Sequence, residues 1–406
     1  MTAMPVVAGP IWSGLIGQDE VVQQLAHAVV DAEALRRGER GPAMTHAWLI
    51  TGPPGSGRST AATSFAAALA CPDQGCGTCQ ACRMGPAGGH PDVHVVVAQG
   101  LSYGVDDARE LVRQSSLSPV ESPWNVFVIE DADRFTDEAV RALLKAIEEP
   151  PPHVVWILCA PSLEDVEPTI ASRTRHVSLR TPTTASVARV LQEAYGIDAA
   201  MATFAARASQ GHIGRARALA TDEHARRRRQ EVLRVPFELR DVPSCMAQAA
   251  VLMEAATDDA RTITDALDEA ENSQLQAAYG AGAEGVTKGR VQRLMSRDQK
   301  ELADTQKSRA KRVVVDQVDR VVIDLMGLYR DVLVLQVGAD VELINAEMHP
   351  QLQTLAERSS QADTGRRLAA LAHARQQLRA NVAPILLLES LMVELRDPWI
   401  RTVPLG

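Results

Sequence analysis

Lysine is scarce in this chain. Of the 42 basic side chains among 406 residues only five are lysine, at positions 145, 288, 300, 307 and 311, which leaves 37 arginines. With alanine abundant, this reads as a GC-rich coding bias, so an arginine where a motif expects lysine is weaker evidence of redesign than usual. Aromatic residues are also few, with five Trp, four Tyr and five Phe. That is too sparse to interleave a basic groove with base-stacking rings. Basic residues are outnumbered by 51 acidic ones, for a formal net charge of −9, which argues against a surface gripping nucleic acid all over while permitting a local basic stripe. No apolar run approaches the ~18 residues of a membrane span; the best, Val154 to Ala160, is seven long. No basic stretch followed by an apolar core marks a secretory leader, and a cytoplasmic protein with no membrane contact is expected. What is present is an ordinary globular composition, 46% hydrophobic and 23% charged. At about 100–200 residues per domain the length suggests two to four domains.

Six cysteines occur, four of them within twelve residues: Cys71, Cys76, Cys79 and Cys82. In a reducing compartment disulfides are not expected, and the C-x4-C-x2-C-x2-C spacing suits thiolate ligands of a metal. Four thiolates close a tetrahedral shell around Zn²⁺ at ~2.3 Å with no open position, so the expected zinc is structural. Gly75 and Gly77 supply the turns such a knuckle needs.

From 45 to 180 short apolar runs alternate with helical stretches. His46–Ile50, Val93–Val97, Val126–Ile129 and Val154–Cys159 read as strands. Thr60–Ala70, Asp106–Gln114 and Asp137–Glu148 read as helices, the last stopped by Pro150-Pro151-Pro152. Strands alternating with helices predict an α/β domain whose parallel sheet is covered on both faces. After Thr181-Pro182 the character changes. Residues 183–222 read as a small all-helical piece, and from about 223 long amphipathic helices run on with no strand signal. A glycine-rich break at 280–289 (Gly280, Gly282, Gly285, Gly289) precedes a charged helical stretch to about Ala310, expected to be a flexible insertion or arm. The expected domains are therefore 1–180, 181–222 and 223–406, with the cysteine knuckle at 71–82 and the insertion at about 280–310. The run Arg226–Arg229 spreads around a helix and reads as a solvated or interface face. His46 and His90 read as hydrogen-bonded structure, and Leu386–Leu395 as a packing stripe.

The segment Gly52-Pro53-Pro54-Gly55-Ser56-Gly57-Arg58-Ser59-Thr60 follows a strand and opens a helix. Its glycines let backbone N–H groups curl around phosphate oxygens at a positive helix end, and Ser59 stands where a hydroxyl ligates Mg²⁺. ATP or ADP with Mg²⁺ is the expected ligand class. Arg58 occupies the lysine position, and a planar guanidinium is no neutral replacement for a compact ammonium. The third strand ends in Glu130-Asp131, whereas an ATPase of this architecture places Asp first, for the metal, and Glu second, for the attacking water. Asp131 is about one methylene short for that second role. Both departures favour binding without efficient turnover. Beyond the fourth strand, Pro168 starts a short helix carrying Ser172 and Arg173; taken alone, that arginine reads either as an ordinary surface residue or as one able to reach a neighbouring subunit's γ-phosphate.

Taken together these segments resemble the bacterial clamp-loader family of AAA+ proteins. The matching pieces are Ile16-Gly17-Gln18-Asp19, THAWLITGPPGSGRS (45–59), the four-cysteine knuckle, His90-Pro91-Asp92, VFVIEDADRF (126–135), ALLKAIEEPPP (142–152) and Ser172-Arg173. The resemblance implies an α/β AAA+ domain with a zinc knuckle of four cysteines, an all-α lid and an all-α C-terminal collar through which five subunits assemble. Two subunit types of the family carry the knuckle, the hydrolysing gamma/tau motor and the delta-prime stator. The motor keeps the loop lysine, the Asp-Glu pair and a lid arginine. Here Gly214 stands at that lid position, with Arg215 about 100° around the helix, and Thr174 replaces the family's cysteine after Ser172-Arg173. The length leaves no room for a motor subunit's polymerase-binding extension. These departures point to the stator of the DNA polymerase III clamp loader, with weak or no ATPase of its own, lending Arg173 in trans. The implied partners are motor and delta subunits in a heteropentamer, the sliding clamp, and primer-template DNA through the complex. The alternative is a gamma/tau-type motor that hydrolyses ATP.

Overall fold

The alternation of side chains along each central strand decides the architecture of the first part of the chain. The computed structural model describes residues 8–98, 100–278, 288–380 and 382–396. In chain order the elements are α1 (Asp19–Arg36), β1 (Ala47–Thr51), α2 (Arg58–Ala70), α3 (Gln80–Met84), β2 (Val93–Val96), α4 (Val105–Ser115), β3 (Asn125–Ile129), α5 (Asp137–Glu148), β4 (Val154–Ala160), α6 (Pro168–Ala171) and β5 (Arg175–Ser178). Helices then follow, with no strand among the described residues: α7 (Thr184–Tyr195), α8 (Ala199–Ala208), α9 (Ile213–Thr221), α10 (Glu223–Arg234), α11 (Val242–Ala278), α12 (Lys288–Val337), α13 (His349–Arg358), α14 (Gln361–Arg379) and α15 (Pro384–Leu395). Leaving aside the short stretch 99–101, the chain divides between 221 and 222 into two compact units.

In the first unit the strands form a parallel sheet in the order β2-β3-β4-β1-β5. Every residue of β1, β3 and β4 is buried, as a sheet covered on both faces requires. Trp48 and Ile50 of β1 join Val126, Val128, Val155 and Ile157 beneath α1 and α2. Their neighbours Ala47 and Leu49 point the other way, with Phe127, Trp156 and Leu158, into a core closed by Leu111 of α4 and Leu143 and Ile147 of α5. The ten residues Ala61–Ala70 of α2 are all buried; a helix rich in alanine can lie close on the sheet, and Phe65 fills the remaining space edge-on to Trp48, ring centroids 5.0 Å apart. The β5 strand was not among the sequence-predicted strands: only Val177 and none of its strand neighbours is buried, so its apolar signal is weak.

Asp92 fixes the loop that leads into β3. Its buried carboxylate accepts N–H bonds from Val120 (2.6 Å), Glu121 (2.8 Å) and Ser122 (2.7 Å). Burial alone pushes that carboxyl up, but the backbone donors outweigh it and hold it below the usual carboxylate range. The loop's anchorage is therefore complete above the ordinary Asp range and lost as pH falls through the lowered folded value. His90 is buried, and its Nδ1 accepts from the Asp92 N–H at 3.2 Å, a structural role as expected.

In the second unit α11, α12, α14 and α15 bury Leu252, Val322, Leu325, Leu328, Tyr329, Leu371, Leu388 and Leu391 in one core. The stripe Leu386–Leu395 contributes Leu387, Leu388, Leu391, Met392 and Leu395 to it, while Leu386 and Val393 are exposed. Gly280, Gly282 and Gly285 lie outside the described residues, and the charged stretch from Lys288 is continuous with α12. At its end Arg309 is held by Asp268 and by Glu271 (2.7 and 2.6 Å), both on α11. The run Arg226–Arg229 departs from the solvated face expected of it at one residue. Arg229 is 4% exposed and donates to Glu347 at 3.1 Å and to Asn345, with Asp324 3.5 Å from its Nε. Asp331, fully buried, accepts from the Ile344 and Asn345 N–H groups and the Asn345 amide at 2.7–3.0 Å. Four consecutive arginines cannot all reach solvent from one helix that packs on a neighbour; acidic partners remote in sequence make the inward one tolerable. Arg229→Met should strand Asp324 and cost about 3–5 kcal/mol. Hydrogen exchange of the full chain will then show faster opening of the α10 and α12 peptides with the α2 and β3 peptides unchanged.

Candidate functional site

The sheet's five strands are parallel, so the loops after β1, β3 and β4 emerge along one edge; the glycine-rich loop and the acidic pair meet there, whereas Ser172-Arg173, just before β5, lies toward the opposite, amino-terminal edge. The 52–60 loop is anchored at its start by the Gly52 N–H, which donates to the Ala160 and Pro161 carbonyls at 3.3 and 3.2 Å. Gly55 (φ +83°) and Gly57 (φ +94°) take left-handed backbone conformations, which favour glycine. The loop then enters α2 at Arg58, two residues before the predicted helix start. The first N–H groups of a thirteen-residue helix are without intrahelical acceptors and carry its positive end. Two further donors lie buried in the loop with no hydrogen-bond partner: Oγ of Ser56 and Nη1 of Arg58. Buried donors are rarely left unpaired, and a phosphate group is the ligand whose oxygens satisfy both. Ser59 and Thr60 are exposed at the same helix end. The residues present therefore fit a nucleotide phosphate, with Arg58 supplying the charge.

Glu130 and Asp131 stand at the end of β3, beside the loop. Close to both lies Cys159 of β4. Burial pushes its thiol up, Glu130 and Asp131 push the same way, and Arg58 opposes them; its Sγ is 4.0 Å from the Arg58 carbonyl. Asp131 itself has φ +53° and is turned into a short 3-10 turn, Ala132–Arg134, with its carboxylate 3.9 Å from the Arg134 guanidinium. A third acid at this edge, Asp133, was not singled out from sequence. Burial raises its carboxyl, Asp131 adds to the rise, and its Oδ1 has no hydrogen-bond partner.

Two side chains missed by sequence reasoning hold the loop from above. Gln18 donates from Nε2 to the Arg180 carbonyl (2.6 Å) and the Ser56 carbonyl (3.4 Å), and accepts from the Arg180 N–H (3.2 Å). It thus ties the phosphate loop to the chain leaving β5. His212, just before α9, lies against the crest of the loop: a Cβ on Gly55 would come within 2.4 Å of its Cα, Cβ and Cγ. Its Nδ1 accepts from the Arg215 N–H at 3.2 Å. The only sequence signal for Gln18 was its motif; for His212 there was none, because the glycine it meets is remote in the chain.

The four cysteines converge. Cys71 caps the end of α2, Cys79 caps α3 and Cys82 lies within it, and the four sulfurs lie within 4.8 Å of one another. Cys71 is 3.7 Å from Cys76 and 3.6 Å from Cys79, close to the about 3.8 Å that separates tetrahedral thiolates bound at ~2.3 Å. Backbone N–H groups point at the sulfurs: Asp73 and Cys76 at Cys71, Cys79 at Cys76, and Cys82 at Cys79, all at 3.3–3.5 Å. The donors of Thr78, then of Cys79, draw the half-buried Cys76 thiol down to about 6, whereas burial pushes Cys79 and Cys82 up. An unmetallated cluster thus holds thiols in conflict, which a divalent cation resolves by charge. These four residues can hold a metal.

Arg173 stands apart from the loop. Its Nη1 donates to the Thr169 carbonyl (2.8 Å) and the Ser172 hydroxyl (3.2 Å), and its Nε donates to Glu148. Among the described residues none of its polar contacts is with residues 52–60, and its side chain is 39% exposed. Ser172 donates to Thr169 at 3.2 Å and closes the turn that carries Arg173. The tight packing of the loop crest generates a test: Gly55→Ala, strained at φ +83° and in collision with His212, should loosen residues 209–215. Faster proteolysis or hydrogen exchange there, with the core strands unchanged, is the expected result.

Comparison with known proteins bears on the α/β unit. Residues 27–183 match the family model described as DNA polymerase III, delta subunit. The gamma/tau subunit of DNA polymerase III from Mycobacterium tuberculosis is 36% identical over 172 residues, covering 41% of this chain and 28% of that one. The delta' subunit from Bacillus subtilis is 32% identical over 133 residues, covering 32% and 40%. The chain therefore spans less than half the length of these relatives. Among solved structures, a DNA polymerase III gamma-subunit-related protein of Thermotoga maritima covers 90% of this chain and 98% of that one, at 15% identity and a TM-score of 0.37. Both subunit types occur among the relatives at similar identity, and the match to the family model falls within the first unit, so over residues 27–183 this chain is similar to the clamp-loader subunits of DNA polymerase III.

Proposed function

We propose that the chain is a delta-prime-type stator of the DNA polymerase III clamp loader, acting in the cytoplasm. The observation that carries this reading is the position of Arg173: exposed, directed by its own turn, and out of contact with the chain's own phosphate loop. In an assembly Arg173 would supply its guanidinium to the charge that develops on a γ-phosphoryl group held by a neighbouring motor subunit. The chain's own loop would hold ATP or ADP through Gly55, Ser56, Gly57, Arg58, Ser59 and Thr60, with Glu130 toward Mg²⁺; the bound nucleotide would supply charge to the loop, and its turnover would be slow. Asp131, turned toward Arg134, is poorly disposed to orient a water. On this reading 181–222 is a lid and 223–406 the collar that meets motor and delta subunits in a pentamer, which opens the sliding clamp on primed DNA.

Zinc is the metal proposed for the knuckle, since four thiolates at tetrahedral spacing favour it. The purified full chain should carry about one equivalent. Cys79→Ser should lose the metal and expose residues 71–85 to protease, because metal binding and local folding are one equilibrium.

A gamma/tau-type motor is the second reading, favoured by the unpaired donors of Ser56 and Arg58, which suit a phosphate. ATPase assays separate the two. For the stator, the lone chain is nearly inactive, and Arg173→Ala in the reconstituted complex lowers turnover at the adjoining site about 10³-fold with assembly intact. Brisk hydrolysis by the lone chain, further raised by Arg58→Lys, would instead establish the motor.

A further inference from the structure

Helix α5 ends on two acids, Glu148 and Glu149, followed by Pro150-Pro151-Pro152. A carboxylate in the last turn of a helix faces the negative end of the macrodipole, and one there calls for a compensating cation. Lys145 is the only basic residue in that turn. The cation that Glu148 meets comes from 25 positions further along the chain: its Oε1 accepts from Nε of Arg173, with both side chains about two-fifths exposed. An ion pair this exposed contributes little to folding. Its geometric consequence is larger. Nε is taken by Glu148 and Nη1 by the Thr169 carbonyl and the Ser172 hydroxyl, so two of the three guanidinium nitrogens are committed within the chain. Nη2 is the nitrogen left with no hydrogen-bond partner among the described residues.

We propose that Glu148 is a positioning residue for Arg173: its carboxylate, acting with the Thr169 carbonyl and the Ser172 hydroxyl, holds the guanidinium by Nε and Nη1 so that Nη2 is the edge offered to a phosphoryl oxygen on another subunit. This rests on the trans role proposed for Arg173. A free arginine on a short surface helix samples many rotamers, and ordering it at the moment of reaction would subtract from its stabilisation of developing charge. Glu148 removes that cost in advance. It projects from α5, which is packed on the sheet through Ala139, Val140, Leu143 and Ile147, so the guanidinium is referenced to the rigid core of the domain instead of to the four-residue helix α6 alone. The neighbouring acid Glu149 caps the helix backbone, with its N–H on the Lys145 carbonyl, and forms no part of the clamp.

The test uses the reconstituted complex and its DNA-stimulated ATPase. Glu148→Ala should lower kcat about ten- to a hundredfold, with KM for ATP, subunit assembly and the thermal midpoint unchanged. Glu148→Gln keeps an oxygen acceptor for Nε and should recover most of the loss. The decisive measurement is the double variant Glu148→Ala with Arg173→Ala, which should be no slower than Arg173→Ala alone, because a positioning residue has nothing to position once the arginine is gone. Additive losses in the double variant, an unchanged kcat in Glu148→Ala, or a raised kcat (the sign of a restraint that hides the guanidinium) would each overturn the proposal while leaving the trans role of Arg173 in place. An unchanged kcat in Arg173→Ala would instead remove that role, and the proposal with it.

Discussion

The parallel pairing of β3, β4 and β1 is the constraint from which the rest of the α/β unit follows. Leu49 sits beside Leu158 and Phe127 beside Trp156 in register, and no backbone polar group in these strands has an alternative partner once both faces are covered. Parallel order sends every connection back across a face and brings the carboxyl ends of the three strands to one edge. The glycine-rich loop after β1 and the acids after β3 are consequences of that edge, whereas the chain after β4 runs back to the start of β5 and leaves Ser172-Arg173 toward the amino ends of the strands. The alanines of α2 matter for the same reason, since they let the helix whose positive end faces the loop lie close to the sheet.

Polar groups are matched unevenly across the chain. Asp92 has three backbone donors, and Arg229 and Asp331 are embedded in a buried network in the second unit. These groups have partners, and their work is to fix a loop and a helix packing. Around the phosphate loop the matching is incomplete: Ser56 Oγ, Arg58 Nη1 and Asp133 Oδ1 are buried without partners. The four thiols are in a similar state, with N–H donors stabilising one and burial opposing others. Buried atoms without a hydrogen bond occur elsewhere too, Arg229 Nε among them; what sets the loop apart is that two unpaired donors stand at the positive end of a helix, where an anion fits.

Much of this was legible along the chain because it is local. The Gly-rich loop between an apolar run and an alanine-rich helix, the cysteine spacing, and the proline stop after Glu148 are short-range patterns, and each appears where expected. The starts of elements shifted by a residue or two; α2 begins at Arg58 because Gly57 can adopt the left-handed conformation that precedes it. The β5 strand escaped notice because an edge strand with one buried residue has little alternation to read. The burial of Arg229 escaped because four adjacent arginines look equally solvated until the acids on α12 and before α13 are brought to them.

The order of residues by itself determined that a glycine-rich loop at a helix start, a cluster of four cysteines and an exposed arginine turn exist in this chain, since each is built from neighbours whose backbone geometry is set within a few positions. Tertiary structure alone decided that Gln18 braces the loop against Arg180, that His212 lies on Gly55, and that Glu148 grips Arg173. Those contacts join segments far apart in the chain, and side chains so distant acquire meaning only when the packing of the sheet and its helices brings them within hydrogen-bond range.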